Sequence, residues 1–340
     1  MRIALDAMGG DSAPAVTVRG ALEAVEAFGL EVILVGDEER VRRELGGGTL
    51  PRGVSVRHAS QLVAMDEQPS SALRRKKDSS IRVAVDLVKN GEADAVVSAG
   101  NTGAAMAISF FVLGAIEGVD RPGIAAVMPS AKDPFVLIDA GATVDCRPVH
   151  LLQFGVMGGC YASTVLGRKR PTVGLLGIGE EAGKGNELTK EAFKLLSDSK
   201  LNFVGNIEGK EMFSGAVDVV VCDGFIGNVA LKIGEGLVDA LAKMLKQEIS
   251  GSVLGKIGYM FMRAGLPGIR KKMDYAEYGG APLLGINGVS IISHGRSTAK
   301  AIKNALRVAD DSARKNLTGT IGAGIVDAMH YLPDITVNAA

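Results

Sequence analysis

Residues 93–105 read ADAVVSAGNTGAA and residues 217–230 read VDVVVCDGFIGNVA, so the chain twice writes Asp-x-Val-Val-x-x-Gly-x-x-Gly. In each copy a short apolar run stops at a glycine turn, and helix-forming sequence follows at once. Uniformly apolar strands spaced by helices argue for a mainly parallel sheet covered on both faces. The same build recurs at DAMGGD (6–11), after the apolar residues 3–5, and at SHGRST (293–298), after the run 289–292. Further strands are expected over 31–35, 54–58, 95–97, 123–128, 135–138, 172–176, 203–206 and 217–221, with helices between them such as 80–90 and 187–197. The expected fold is three-layer α/β/α. No Pro/Ser-rich linker or composition break divides the chain, so one domain is expected over 1–340, with a protruding helical subregion at about 228–275.

Composition narrows the function classes. With 340 residues and 47% hydrophobic content, the chain can bury a large core. Its 38 basic residues balance its 38 acidic ones and tryptophan is absent, so neither a global field nor stacking platforms favour nucleic acid. Asp6 interrupts the first apolar run, which argues against a signal peptide, and no run of about 20 apolar residues is present to span a bilayer. Cys146, Cys160 and Cys222 are odd in number and widely spaced, which fits a reducing cytoplasm rather than a disulfide framework or zinc site.

Glycine turns between a parallel strand and a helix present free N–H groups and the positive end of the helix dipole, a setting for a phosphate-sized anion. The stretch GLLGIGEEAGKGNE (174–187) is a decoy: Gly177, Gly179 and Gly183 give Gly-x-Gly-x-x-x-Gly, and Glu180 and Glu181 would repel a pyrophosphate. It is not a Walker A loop either, because Ile178 stands at the leading glycine and Gly185 replaces the Ser or Thr. NAD and ATP are therefore not expected. Lys184 and Asn186 remain there as groups suited to an anionic substrate, or as part of a solvated loop. No Gly-x-Ser-x-Gly elbow occurs, Cys222 ends a run of valines as a buried thiol would, and no metal-ligand spacing is present. His294, followed by Arg296, is the one histidine in a glycine-flanked strand-end loop.

The motifs RIALDAMGGDSAP, SAGNTGA, IDAGATVDCRP, GIGEEAGKGNE, GNIEGKE, VCDGFIGNVALK and YGGAPLLGINGVSIISHGRST occur in this order from residue 2 to about 310. Together they resemble the bacterial acyl-ACP:phosphate acyltransferases, the phosphate acyltransferase (PlsX) family. The resemblance implies attack of inorganic phosphate on the thioester of acyl-[acyl carrier protein], giving acyl phosphate for phospholipid synthesis without a covalent enzyme intermediate. It also implies a fold similar to phosphotransacetylases and isocitrate or isopropylmalate dehydrogenases, and a homodimer; the missing nucleotide and metal motifs separately predict no cofactor or metal. On that picture Lys184 supplies positive charge, Asn186 or Asn228 donates to the developing oxyanion, and His294 stands by as a further catalytic candidate. Asp6, Gly9, Gly10, Asp11, Ser98, Gly100, Asn101, Thr102, Gly103, Asp139, Asp223, Gly224, Gly227, Gly295 and Arg296 line the phosphate cleft, the aspartates orienting donors or the lysine, or serving as helix caps and turn carboxylates. The rival functions are a CoA-dependent phosphate acyltransferase and a non-catalytic, membrane-associated acyl or phosphate sensor.

Three stretches bear on partners. LRRKKD (73–78) suits an acidic carrier protein or its phosphopantetheine, or plain solvated surface. In residues 228–248, Ile233, Leu237, Leu241, Met244 and Leu245 fall at helical intervals, for a twofold mate or for the chain's own core. In residues 252–272, Val253, Leu254, Ile257, Met260 and Phe261 would share a face flanked by basic residues, the build of a segment that contacts anionic lipid reversibly, or one that packs on a dimer mate or its own domain. The expected location is cytoplasmic, peripherally on the inner face of the membrane.

Overall fold

The structure, a computed structural model, describes residues 1–262, 268 and 274–330. Twelve strands are described: β1 (Arg2–Asp6), β2 (Glu31–Gly36), β3 (Val54–His58), β4 (Ala95–Ser98), β5 (Gly123–Ile124), β6 (Ala126–Met128), β7 (Phe135–Ile138), β8 (Thr172–Gly177), β9 (Asn202–Glu208), β10 (Val219–Val221), β11 (Ala281–Leu284) and β12 (Val289–Ile292). The fold is α/β with mainly parallel strands, as expected, but the strands form two sheets rather than one. Seven run in the order β3-β2-β1-β4-β12-β11-β5 and five in the order β6-β7-β10-β8-β9.

The expected single strand over 123–128 is where the sheets meet. Gly123 and Ile124 pair antiparallel with β11, while Ala126 to Met128 pair antiparallel with β7. Ala125 lies between them, its N–H given to Pro282 O at 3.0 Å. Strand β11 was not expected, because Pro282 interrupts its apolar run and lacks the N–H a ladder uses.

Period-two alternation sends each central strand into two cores. Ile3 and Leu5 face the helices Ala15–Phe28 and Ala299–Arg314, whereas Ala4 faces the helices Ser80–Lys89 and Thr102–Leu113. In the smaller sheet, Val219 and Val221 pack on the helix Pro148–Thr164, and Val220 packs with Phe135 and Leu137 on the other face. Every valine of the VVV run is fully buried. The helix Gly224–Gly251 then leaves the body, its residues Ile233, Leu237, Leu241, Met244 and Leu245 all exposed within one chain, and the helix Val253–Met262 follows it.

Candidate active site

Parallel register fixes which loops meet. Ile292 stands beside Ser98 and Leu5 beside Val97, so DAMGGD, SAGNTG and SHGRST all leave the carboxyl edge of the larger sheet. They touch: Asp11 N donates to Gly295 O at 2.9 Å, and Ser293 N to Ser98 O at 2.8 Å. A Cβ on Gly9 would lie 2.6 Å from Asp6 Oδ2 and 2.7 Å from Gly100 N, so these turns close on each other only as glycine. A Cβ on Gly10, at φ +111°, would lie 3.2 Å from Gly295 O.

Behind them sits Asp6, almost fully buried. Its carboxylate accepts from Ser98 Oγ at 2.7 Å and Met8 N at 3.2 Å, and Ser98 Oγ in turn accepts from Gly100 N at 3.1 Å. Burial pushes the Asp6 carboxyl above its ordinary value, against the Ser80 and Ser98 hydroxyls and the Met8 and Gly9 amides, which pull it down. A polar cavity of about 10 Å³, enough for one water, lies between Asp6, Ser80, Ser98 and Asn101. Asn101 caps the helix Thr102–Leu113 through Ala104 N, and its Nδ2 donates to the carbonyls of Ala64, Met65 and Glu67. A Cβ on Gly103 would meet Pro69 at 2.6 Å, so the helix Pro69–Arg75 is seated there too. Asp6, Ser98 and Asn101 thus shape the wall from behind, while Asp11, Thr102, His294 and Arg296 are exposed upon it. His294 Nδ1 accepts from Arg296 N at 3.1 Å, leaving Nε2 free of that turn.

The smaller sheet presents the other wall. Val221 stands beside Ile138 and Leu175, so the loops after β7, β10 and β8 rise together. Asp139 is fully buried, its carboxylate accepting from the N–H groups of Ile124, Gly141, Ala142 and Thr143 at 2.6–3.0 Å. It orders the 139–143 loop and ties it to the bridging strand β5. Burial raises its carboxyl, opposed by those amides. A Cβ on Gly227 would fall 1.8 Å from Asp139 O, and one on Gly224 would fall 2.7 Å from Asp139 Oδ2. Asp223 caps the helix Gly224–Gly251 through Ile226 N at 2.9 Å, and Asn228, exposed one turn on, lies against Gly141. Cys146 and Cys222 flank these loops, but burial and the charges of Asp139 and Asp223 push the Cys146 thiol up to about 12 and raise Cys222 well above its ordinary value. Neither is a thiolate near neutral pH.

The 178–186 loop rises from β8. Asn206 Nδ2 holds it by donating to Glu181 O at 2.9 Å, and Lys184 N donates to the same carbonyl at 3.0 Å. Lys184 is exposed, with its stem against Gly179. Asn186 caps the helix Glu187–Asp198 through Thr189 N, which occupies its side-chain oxygen. Ser80 and Asn206 escaped the reading of the sequence. Asn206 lies inside the GNIEGKE motif as a polar, buried residue on a strand, which is the one signal that marks it.

The two walls adjoin. Ala104 and Ala105 of the first helix share one apolar cluster with Ala140, Ala142 and Leu231 of the second wall. The glycine turns of both copies of the opening motif therefore stand at strand ends of sheets that share one core, and their amide-rich backbones, with the exposed Lys184 and Arg296, are groups suited to an anion. Of the tip residues, Leu254, Met260 and Phe261 are exposed, and the side chains of Val253 and Ile257 lie outside the described residues, as does most of 263–273.

Mainly parallel sheets whose strands end in glycine turns that open helices define the α/β class whose ligands lie beyond the carboxyl ends of the strands. A phosphotransacetylase from Streptococcus pyogenes superposes with a TM-score of 0.63 at 18% identity, covering 92% of this chain and 94% of its own, so it shares the fold. A 4-hydroxythreonine-4-phosphate dehydrogenase from Klebsiella pneumoniae gives 0.52 at 15% identity, covering 92% and 99%. Residues 1–319 match the family model described as fatty acid synthesis protein. The phosphate acyltransferase of Pelotomaculum thermopropionicum is 57% identical over 325 residues, 96% of this chain and 95% of the relative, and that of Thermodesulfovibrio yellowstonii is 57% identical over 93% and 92%. The chain belongs to the phosphate acyltransferase family, enzymes that move an acyl group to phosphate.

Proposed function

We propose that the acyl donor is a fatty acyl thioester of acyl carrier protein and that inorganic phosphate attacks it directly. The observation that supports this reading is that the glycine turns of both sheets and the exposed Lys184 present donors suited to an anion, while burial raises the Cys146 and Cys222 thiols and makes them poor nucleophiles. An oxygen of hydrogen phosphate adds to the thioester carbonyl carbon, and the negative charge moves to the carbonyl oxygen. Lys184 and the Asn228 amide stabilise that oxyanion, a role that grows as the charge develops. Collapse breaks the C–S bond. The phosphate proton ends on the departing sulfur, so the products are acyl phosphate and the free carrier thiol. The glycine turns of both walls hold phosphate in line with the carbonyl, which supplies the proximity term.

Three finer parts belong to the same proposal. Arg74 and Arg75 end a helix that packs on the SAGNTG wall, beside Lys77, which suits an acidic carrier. The unpartnered stripe Ile233, Leu237, Leu241, Met244 and Leu245 suits a second copy of the chain. Leu254 is 82% and Phe261 77% exposed at the far end of that helical arm, which suits reversible docking on anionic lipid at the inner face of the membrane, with the rest of the protein in the cytoplasm. Phosphorus NMR of the protein with phosphate and palmitoyl-carrier protein tests the reading. An acyl-phosphate resonance that grows with time is expected, faster than with palmitoyl-CoA. A faster signal with the CoA thioester overturns the donor assignment, and stoichiometric binding without the resonance overturns the reaction.

A further inference from the structure

The turn that opens the helix Thr102–Leu113 is gripped from outside by a strap, residues 60–67, which runs between β3 and the helix Pro69–Arg75. Asn101 is the fastening. Its Nδ2 carries two hydrogens and faces three strap carbonyls, Glu67 O at 2.8 Å, Met65 O at 3.0 Å and Ala64 O at 3.2 Å. Its Oδ1 accepts from Ala104 N at 2.9 Å, so one planar amide joins the strap to the end of the helix. Both ends of that amide are thus taken up by the protein itself.

Other contacts keep the strap in register. At its start Asp78 accepts from Ser60 N at 2.8 Å, and Asp78 N donates to Gln61 Oε1 at 3.1 Å. Lys76 Nζ reaches across it, donating to Leu62 O and pairing with the Glu67 carboxylate at 2.6 Å. At its middle the tip of Met65 covers the SHGRST turn, since a Cβ on Gly295 would stand 2.7 Å from Met65 Cε. The strap therefore touches two of the three turns of the larger-sheet wall, and its Leu62 and Val63 line the one-water cavity together with Asp6 and Ser98. A helix leaves its first N–H groups without intrahelical partners, and because Asn101 takes Ala104 N, those of Thr102 and Gly103 remain for a ligand. Their direction depends on how Asn101 is held, and the strap holds Asn101.

We infer that Asn101 is a positioning residue for phosphate: through the strap it fixes the Thr102 and Gly103 N–H groups and braces the SHGRST turn, which carries Arg296, against them. It acts through backbone amides and does not touch the anion. The inference rests on the proposed binding of phosphate at the glycine turns and adds what orients the donors on the larger-sheet side. Preorganised donors are effective because they need no rearrangement when the charge arrives. A loosened strap should therefore weaken phosphate binding first and leave the binding of the thioester alone.

The experiment measures kcat and the KM values for phosphate and for palmitoyl-carrier protein in wild type, Asn101→Ser, Lys76→Met and Asn287→Ser. Serine keeps a neutral oxygen for Ala104 N and removes both strap donors. Lys76→Met frees the strap from its outer side. Asn287, at the amino edge of the same sheet with Nδ2 donating to Ala115 O at 2.6 Å, gives the matching loss of an asparagine-to-carbonyl bond away from the turns. The phosphate KM is expected to rise about tenfold in Asn101→Ser, the size of one net hydrogen bond, and about threefold in Lys76→Met. It should stay unchanged in Asn287→Ser, and the carrier-thioester KM should hold in all four proteins. An unchanged phosphate KM in Asn101→Ser overturns the inference; should that variant not fold, an unchanged value in Lys76→Met does so. Parallel rises in both KM values, or a rise shared by Asn287→Ser, also overturn it, by showing a general loosening of the fold. Wild type without a saturable dependence on phosphate refutes phosphate binding at the turns instead, so the two failures are distinguishable.

Discussion

The turns at Gly100–Gly103 and Gly224–Gly227 are written in the same letters and used differently. In the first, the aspartate that organises the wall, Asp6, belongs to another strand and reaches the turn through Ser98. In the second, Asp139 organises its own loop by accepting four backbone amides, and the glycine turn is pressed onto that loop's carbonyl. A Cβ on Gly100 would meet Ser98 Oγ at 3.3 Å and one on Gly103 would meet the Pro69 ring at 2.6 Å, whereas one on Gly224 would meet Asp139 Oδ2 at 2.7 Å and one on Gly227 the Asp139 carbonyl at 1.8 Å. The first turn presses its second glycine onto a side-chain ring, the second onto a backbone carbonyl. A repeated motif therefore marks position at a sheet edge, while its tolerance depends on what the fold brings behind it.

The largest effect should come from the tighter wall. Gly227→Ala cannot be accommodated without moving the Asp139 backbone, a fully buried element, and overpacking against backbone exceeds the usual range of single-substitution costs. Little folded protein is expected, or a transition lowered by more than ten degrees in a thermal melt, at about 2–4 degrees per kcal/mol for a chain this long. Gly100→Ala should retain the fold with a smaller fall. Equal tolerance at both positions would break the comparison.

Next comes chemistry at constant fold. Lys184 is exposed, so Lys184→Ala should leave the melting temperature near that of wild type while lowering kcat about a hundredfold to a thousandfold, as loss of an oxyanion-stabilising group does. Asn228→Ala should act in the same direction and less strongly. Turnover that survives both changes would move the catalytic centre to the polar wall and His294.

Much of this was legible in the sequence because strand ends and glycine turns are local. The apolar runs and the four turns could be read from spacing alone. What could not be read is long-range: that the 123–128 strand changes sheets at Ala125, that Pro282 still sits in a strand, and that Asp6 and Asp139 lie behind the cleft rather than in it. Burial of a carboxylate is decided by which loops close over it, and nothing in DAMGGD or IDAGAT states that.

A smaller effect concerns the arm that leaves the second wall. Leu254→Glu and Phe261→Glu each place a charge where lipid contact is proposed, and basic residues near a membrane surface add about 1 kcal/mol each to binding. Co-sedimentation with liposomes rich in anionic lipid should fall several-fold for each variant, with turnover of the carrier thioester in solution kept as the folding control. Equal sedimentation by all three proteins at low salt would detach the arm from the membrane and leave its exposed residues to another partner.

The smallest effects separate the two halves by pH. His150, in the helix behind the smaller sheet, is buried; its Nδ1 accepts from Arg147 N at 3.0 Å, and Asp120 is 3.6 Å from Nε2. Burial first, then the Arg147 charge, holds its imidazole below the ordinary value of 6.5, with Asp120 opposing. Below pH 6.5 the unfolded chain takes a proton that the folded one refuses, so stability from neutral His150 is present above that pH and is lost as the pH falls through the lower folded value. Asp6 behaves in the opposite sense. Its carboxyl is raised above 3.8, so its contribution is fully present below that value and is lost as the pH rises through the folded one. Melting temperatures of wild type, His150→Gln and Asp6→Asn, followed from about pH 7.5 toward the ordinary carboxyl value of 3.8, read the two directly. On acidification the advantage of wild type over His150→Gln should shrink, and its advantage over Asp6→Asn should grow. Two gaps that move in parallel would mean that acid acts on surface charge common to all three proteins, and that neither buried group distinguishes one wall from the other.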